Sequence, residues 1–189
     1  MVRWEPDARG RLERAALELY VERGFEQTTV AEIAKRAGLT ERTFFRHFAD
    51  KREVLFGGSA ALQERLVTAV LDAPAGASPI EAVTAALVEA ATLLQARRAA
   101  VRRRHGVITA TAELQERELI KLAALTGSMA GALRRRGVAD PTASLSAEAG
   151  MAVFKVAFER WVTGSAPKGS DLPGLIRDVL ADLRTVAAG

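Results

Sequence analysis

Apolar positions recur at helical spacing along nearly the whole chain. Leu12, Ala15, Ala16, Leu19 and Tyr20 fall at i, i+3, i+4, i+7 and i+8, the stripe of one helix face. The pattern predicts a helix from about Pro6 to Arg23, stopped by Gly24. Val30, Ile33, Ala34 and Ala37 repeat the spacing over a short helix, and Gly38 follows where a helix end needs a left-handed residue. Thr40 is an N-cap candidate for a second short helix, Glu41–Phe48, in which Phe44 and Phe48 turn inward. Two short helices across a glycine turn describe a helix-turn-helix, whose second helix enters the DNA major groove.

The same reading continues downstream. Asp50 is placed to cap a fourth helix from Lys51 to about Leu71, with Leu55, Leu62, Leu66 and Val70 inward. Gly57 and Gly58 fall inside it, as a local kink or as a hinge between domains; the pattern does not separate the two. Residues 73–79, rich in Ala, Gly and Pro, form the best boundary. Ser78 and Pro79 then open a fifth helix with Ile80, Val83, Leu87, Ala90 and Leu94 inward. A basic run, Arg97 to His105, precedes a long helix at Thr111–Arg136, one at Pro141–Thr163 and a last at Asp171–Ala187. The expected class is all-α with about nine helices. It divides into a three-helix DNA-binding domain (1–50), a connecting helix (51–73) and a helical bundle (74–189).

The helix at 141–163 is apolar nearly all round. Leu145, Ala149, Ala152, Val153 and Val156 take one side, while Met151, Phe154, Phe158 and Trp161 take much of another. Such a helix needs cover on every side. A second subunit supplies that cover in a two-fold dimer; the alternative is the central helix of a monomeric bundle. Paired half-sites, the common logic of helix-turn-helix proteins, favour the dimer.

Charge sharpens the assignment locally. Between Lys35 and Arg52 lie six basic residues against Glu41 and Asp50, and this excess equals the net charge of +4 on the whole chain. On the positions of the first helix expected to face solvent, by contrast, stand the acids Glu13, Glu18 and Glu22. Positive potential on the reading element is what phosphate attraction requires. The absence of cysteine excludes disulfides, thiolate zinc sites and a cysteine nucleophile. His47 and His105 fall in different predicted domains, and no His-x-x-x-His, Gly-x-Ser-x-Gly or phosphate-binding glycine loop occurs, so neither a metal site nor an enzyme is expected. The first ten residues are polar and charged, and no uninterrupted apolar run approaches the roughly 20 residues that cross a bilayer, so a soluble cytoplasmic protein without cofactor is expected.

Residues 10–55 resemble the DNA-binding domain of TetR-type transcriptional regulators. The likeness rests on Glu22-Arg23-Gly24-Phe25, Thr28-Thr29-Val30, Thr43-Phe44-Phe45 and Phe48-Ala49-Asp50-Lys51. Many members carry a Tyr at the position of Phe45 whose hydroxyl touches phosphate; here that hydrogen bond is replaced by an apolar contact. The resemblance implies that Arg42, Thr43 and Arg46 reach bases or nearby phosphates, where Arg pairs with guanine and Thr offers a methyl and a hydroxyl. Thr28, Thr29 and Lys51 are expected at helix N-termini, where phosphate binds. With Thr40 and Phe45 they complete the expected contact set, which includes His47 unless it is a solvated surface residue.

More loosely, Ala110–Arg117 and Val156–Trp161 resemble the effector domain of regulators related to the mycofactocin system. That resemblance implies a hydrophobic or acyl-CoA-like effector, and the TetR likeness implies a dimer interface from 141–163 and 171–187. The candidate pocket residues are Leu87, His105, Met129, Phe154, Phe158 and Trp161, each with a plainer role. His105 ends a helix near its dipole in that plainer role, and the others are core, with Trp161 the exception because its N–H needs a partner wherever it is buried. The expected function is a dimeric regulator, a repressor released from a palindromic operator by this effector. A constitutive or architectural DNA-binding dimer without effector is the alternative.

Overall fold

A computed structural model describes residues 7–189; the expected helix start at Pro6 lies outside them. Among the described residues there are nine α-helices and no strand. They are α1 (Ala8–Arg23), α2 (Val30–Arg36), α3 (Glu41–His47), α4 (Ser59–Asp72), α5 (Pro79–Gln95), α6 (Arg98–Thr109), α7 (Ala112–Arg135), α8 (Thr142–Thr163) and α9 (Leu172–Ala188). The chain forms two compact units, one of residues up to Ser59 with Arg103–Glu118, the other of Ala60–Arg102 with Leu119–Gly189.

In the first unit the stripe of α1 is buried at the five positions that the spacing marks, Leu12, Ala15, Ala16, Leu19 and Tyr20. These meet Phe25, Ile33, Ala37, Phe44 and Phe48 from α2, α3 and their joints, and Val107, Ile108 and Leu114 from α6 and α7. Residues 103–118 thus complete the core of the reading unit, whereas sequence order sets them in the second half.

The fourth helix differs from expectation. A 3-10 turn at Glu53–Phe56 comes first, and α4 begins only at Ser59, so Gly57 and Gly58 lie at a break rather than inside a helix. Asp50 caps the turn, accepting from the N–H of Arg52 at 2.8 Å and of Glu53 at 3.1 Å. The two glycines are not equivalent. A side chain on Gly57 would run into Glu13 and come within 3.1 Å of the Phe48 ring, whereas Gly58 faces open space. Gly57→Ala displaces the Glu13 carboxylate and presses on the Phe48 ring, so it is expected to be less stable than Gly58→Ala, which raises stability by about 0.4–1 kcal/mol through reduced unfolded-state freedom. Melting temperatures of the two single variants check this, and equal shifts would refute it.

In the second unit α5, α8 and α9 pack together, with Trp161, Leu172, Leu175 and Ile176 at their centre. A second cluster joins α4, α5, α7 and α8 through Leu66, Val70, Leu87, Met129, Leu133 and Met151. Glu81 receives the N–H and hydroxyl of Ser78 at 3.0 and 2.7 Å, and Asp171 caps α9 through the N–H of Gly174 at 2.7 Å. The single chain does not cover α8 on every side. Leu145 is 65% exposed and Val156 50%, and with Ala149 and Ala152 they repeat at i, i+4, i+7 and i+11. That leaves an apolar stripe open along the helix.

Candidate nucleic-acid interface

The turn between α2 and α3 is built by its own residues. Thr29 caps α2 in a reciprocal box with Glu32, whose carboxylate takes the Thr29 N–H at 2.9 Å and is held below the usual carboxylate range mainly by that bond. Gly38 adopts φ 65°, a left-handed value, while Leu39 N–H reaches back to the Ala34 carbonyl at 2.8 Å and closes the helix end. Thr40 then caps α3 by accepting from the Thr43 N–H at 3.2 Å. Arg11 of α1 donates to the Ala37 carbonyl, which ties the turn to the first helix. Arg11 escapes the periodicity because it lies off the apolar stripe; it is one of four arginines on α1, and nothing in their spacing singles it out.

Phe44 anchors α3 from below. It is fully buried, with its ring 5.6 Å from Phe48 and 5.4 Å from Phe45. The opposite face presents Arg42, Phe45 and Arg46, all exposed, with Phe45 at 55%. An exposed aromatic between two arginines is an unusual surface for a solvated helix and a suitable one for groove contact. Thr43 is half-buried and its hydroxyl lies 3.1 Å from that of Thr40.

Several neighbouring cations are already engaged. Arg36 forms a fork with Glu22 at 2.9 and 2.8 Å and reaches Glu18 at 3.4 Å, so its charge is balanced on α1. Arg52 pairs with Asp50 at 2.6 Å. Lys35, Arg42 and Arg46 take part in none of the described ion pairs and remain exposed. The positive potential is narrower than the sequence count suggests and centres on α3.

Two expected phosphate contacts are relocated. Thr28 is buried, and its hydroxyl donates to the Gly24 carbonyl at 2.8 Å instead of facing out. Lys51 turns inward: its Nζ donates to the carbonyls of Phe25, Glu26 and Thr28 at 3.0, 3.4 and 3.2 Å and stands 4.3 Å from the Phe25 ring centre. The Lys51 carbonyl in turn accepts from the Tyr20 hydroxyl at 2.6 Å. An ammonium held by three carbonyls clamps the loop between α1 and α2 and is not offered to phosphate. Lys51→Met should therefore lower stability by about 1.5–3 kcal/mol and leave the salt dependence of DNA binding unchanged. A salt slope reduced by about one, at unchanged melting temperature, would restore a phosphate role.

Thr29 is exposed at the start of α2 with its hydroxyl in the capping box. His47 is half-buried against Phe48, and its Nε2 is buried without a partner, so it is not a freely solvated residue.

The pocket candidates divide between the units. His105 belongs to the first unit, with His47 and not apart from it as sequence order suggests, and stands within α6, which continues through Gly106 to Thr109, so it does not end a helix. Leu87 and Met129 are buried in one cluster of the second unit, Trp161 and Phe158 belong to the other, and Phe154 borders both. Two open grooves in this unit, of about 740 and 550 Å³, are lined from α4 and α5 and from α4 and α7, and none of the candidates lines them. Among the described residues no cluster of metal-ligating side chains occurs.

An all-helical chain with a capped helix-turn-helix and a separate bundle defines a class of bacterial DNA-binding regulators. Residues 13–56 match the description "Bacterial regulatory proteins, tetR family", and residues 77–188 match "MftR C-terminal domain". The chain belongs to the TetR family of transcriptional regulators, with a C-terminal domain of the MftR type. It is similar to the regulator TcmR of Streptomyces glaucescens, 44% identical over 78 residues, which span 41% of this chain and 34% of that protein. The match to the putative mycofactocin biosynthesis regulator MftR of Mycobacterium tuberculosis is 26% identical and covers 87% of this chain and 85% of that one. Among solved structures, the Thermus thermophilus repressor FadR in complex with lauroyl-CoA superposes with a TM-score of 0.56 at 25% identity, over 92% of this chain and 91% of that chain. Homodimers are typical of the family.

Proposed function

We propose that this protein is a homodimeric repressor, working in the cytoplasm without a cofactor. It reads a near-palindromic operator with α3 and leaves it when a small hydrophobic or acyl-type effector binds the second unit. The observation that carries the DNA contact is the exposed Arg42–Phe45–Arg46 face on a helix capped by Thr40 and anchored by Phe44, beside cations already paired off. Thr29, Thr40, Thr43 and His47 border this face, while Lys51 and Thr28 hold it up from within. The open stripe on α8 supports self-association, since a second copy would cover Leu145, Ala152 and Val156.

Effector control rests on the size of the second unit and on the likeness to a repressor solved with lauroyl-CoA. An effector releases DNA only by binding the non-reading arrangement more tightly. α6 is suited to carry that preference. Its residues up to Arg102 pack with the second unit and those from Arg103 with the first. Within the first unit Arg104 donates to the Leu55 carbonyl at 2.7 Å and pairs with Glu118 at 3.0 Å, while Arg117 pairs with Glu53. Movement of α6 would thus act on the turn at Glu53–Phe56 and the glycine break beside it. A constitutive dimer is the second reading, favoured by the full burial of Met129 and Trp161.

The test is release of operator DNA, selected from a random pool, as dodecanoate and dodecanoyl-CoA are titrated. Release at submicellar ligand supports the repressor. Tight binding unaffected by these and by a broader set of apolar compounds selects the constitutive dimer.

A further inference from the structure

Two hydrogen-bond donors in the second unit are buried without an acceptor, and they belong to side chains that touch. Trp161 is 0% exposed and its Nε1 has no partner; the Nε of Arg98 is in the same condition. The Arg98 guanidinium stands 5.2 Å from the indole centre, and its Nη2 donates to the Trp161 carbonyl at 3.0 Å. Buried donors are almost always satisfied in folded proteins, and leaving one bare is destabilising. Two on one contact mark a place where an acceptor belongs.

The charge says which kind. The described partners of Arg98 are the ring and carbonyl of Trp161, not a carboxylate. Within the second unit three arginines, Arg97, Arg98 and Arg102, and no acid lie between Ala90 and Arg102. Arg98 is also the first residue of α6, so the positive end of that helix adds to the same potential. One guanidinium edge and one neutral indole N–H suit the single charge of a planar carboxylate better than the double charge of a phosphate.

The surroundings say what the carboxylate is attached to. Phe158 lies 5.9 Å from Trp161, and Phe154 stacks on Phe158 at 5.6 Å and 28°. This aromatic run leads along α8 from the fully buried indole to two half-buried rings, with Val88 and Leu94 of α5 partly buried in the same cluster. We propose that the Arg98–Trp161 corner binds the carboxylate head of an amphipathic acid whose apolar tail lies along Phe158 and Phe154. The proposal rests on the effector-responsive reading and names the chemical class of the effector.

Calorimetry on the full chain with dodecanoate and dodecanol, both below their micellar concentrations, tests it. Dodecanoate should bind about tenfold tighter than the alcohol, one charge-assisted contact's worth of discrimination. Arg98→Met should remove that preference by weakening the acid alone, and Arg98→Lys should keep part of it. Trp161→Phe, which keeps an aromatic ring and loses the N–H, should weaken the acid severalfold more than it weakens the alcohol. Should Arg98→Met melt too low to measure, Arg98→Gln serves the same purpose. Equal affinities in the unaltered protein, no binding of either chain, or a preference that survives loss of the charge would overturn the proposal. Operator release follows separately. Release by dodecanol alike in all variants sinks the head-group site and leaves the repressor standing. Arg98-dependent binding without release establishes the site and removes the repressor.

Discussion

Arg46→Ala weakens binding to the selected operator by about 1–3 kcal/mol for each half-site, and by about twice that for a dimer holding two. The size follows from what Arg46 is: an exposed arginine on α3, outside the described ion pairs, on the helix that the capped turn presents. Loss of a base-edge contact also relaxes sequence choice at one position in each half-site, whereas loss of a phosphate contact does not. Arg36→Ala is the matched comparison. Arg36 is held by Glu22 and Glu18, so its removal should change operator affinity little and sequence choice not at all. Gel-shift titrations on the operator and on point-substituted operators give both quantities. Equal losses for the two arginines would contradict the assignment of the reading face.

Phe44→Ala removes the reading unit itself. Phe44 is 0% exposed and its ring contacts Phe45 and Phe48 in the small core that α1, α2 and α3 share. Truncating a buried Phe costs about 3–5 kcal/mol, a large part of the roughly 5–15 kcal/mol that stabilises a typical domain. Thermal melts followed by circular dichroism should show an early loss of helix, with operator binding lost at the same temperature. Phe45→Ala should lower the melt far less, by no more than its edge contact with Phe44 is worth, about 0.5–1.5 kcal/mol, and act mainly on DNA affinity, because that ring is half exposed. A Phe44 variant that melts like the parent and binds DNA as well would show that Phe44 does not hold α3 in place.

The helices were legible because their apolar faces are regular. The buried residues of α1 coincide with its sequence stripe, and the caps at Thr29, Thr40, Ser78 and Asp171 stand where Ser, Thr and Asp precede apolar runs. Pairing across elements was less legible. The three carbonyls that hold Lys51 lie in a loop more than twenty residues earlier, and nothing in the spacing of Lys51 points to them. Arg36 left more of a trace: Glu18 and Glu22 are four apart on one face of α1, an acidic pair that asks for a cation. Val107, Ile108 and Leu114 look like any other apolar residues of the second half. Sequence alone does not say that they close the core of the first unit. For α8 the all-round apolar pattern states that cover is needed; the structure adds which side remains open.

On the proposed function two copies of α3 read DNA together. Selection of bound sequences from a random duplex pool by the full-length protein tests it most directly. An inverted repeat is expected, its half-sites centred roughly 34–36 Å apart, or somewhat more, along the duplex, with symmetry-related positions losing preference in Arg46→Ala. Enrichment of a single unrepeated half-site, or of no sequence at all, would contradict it.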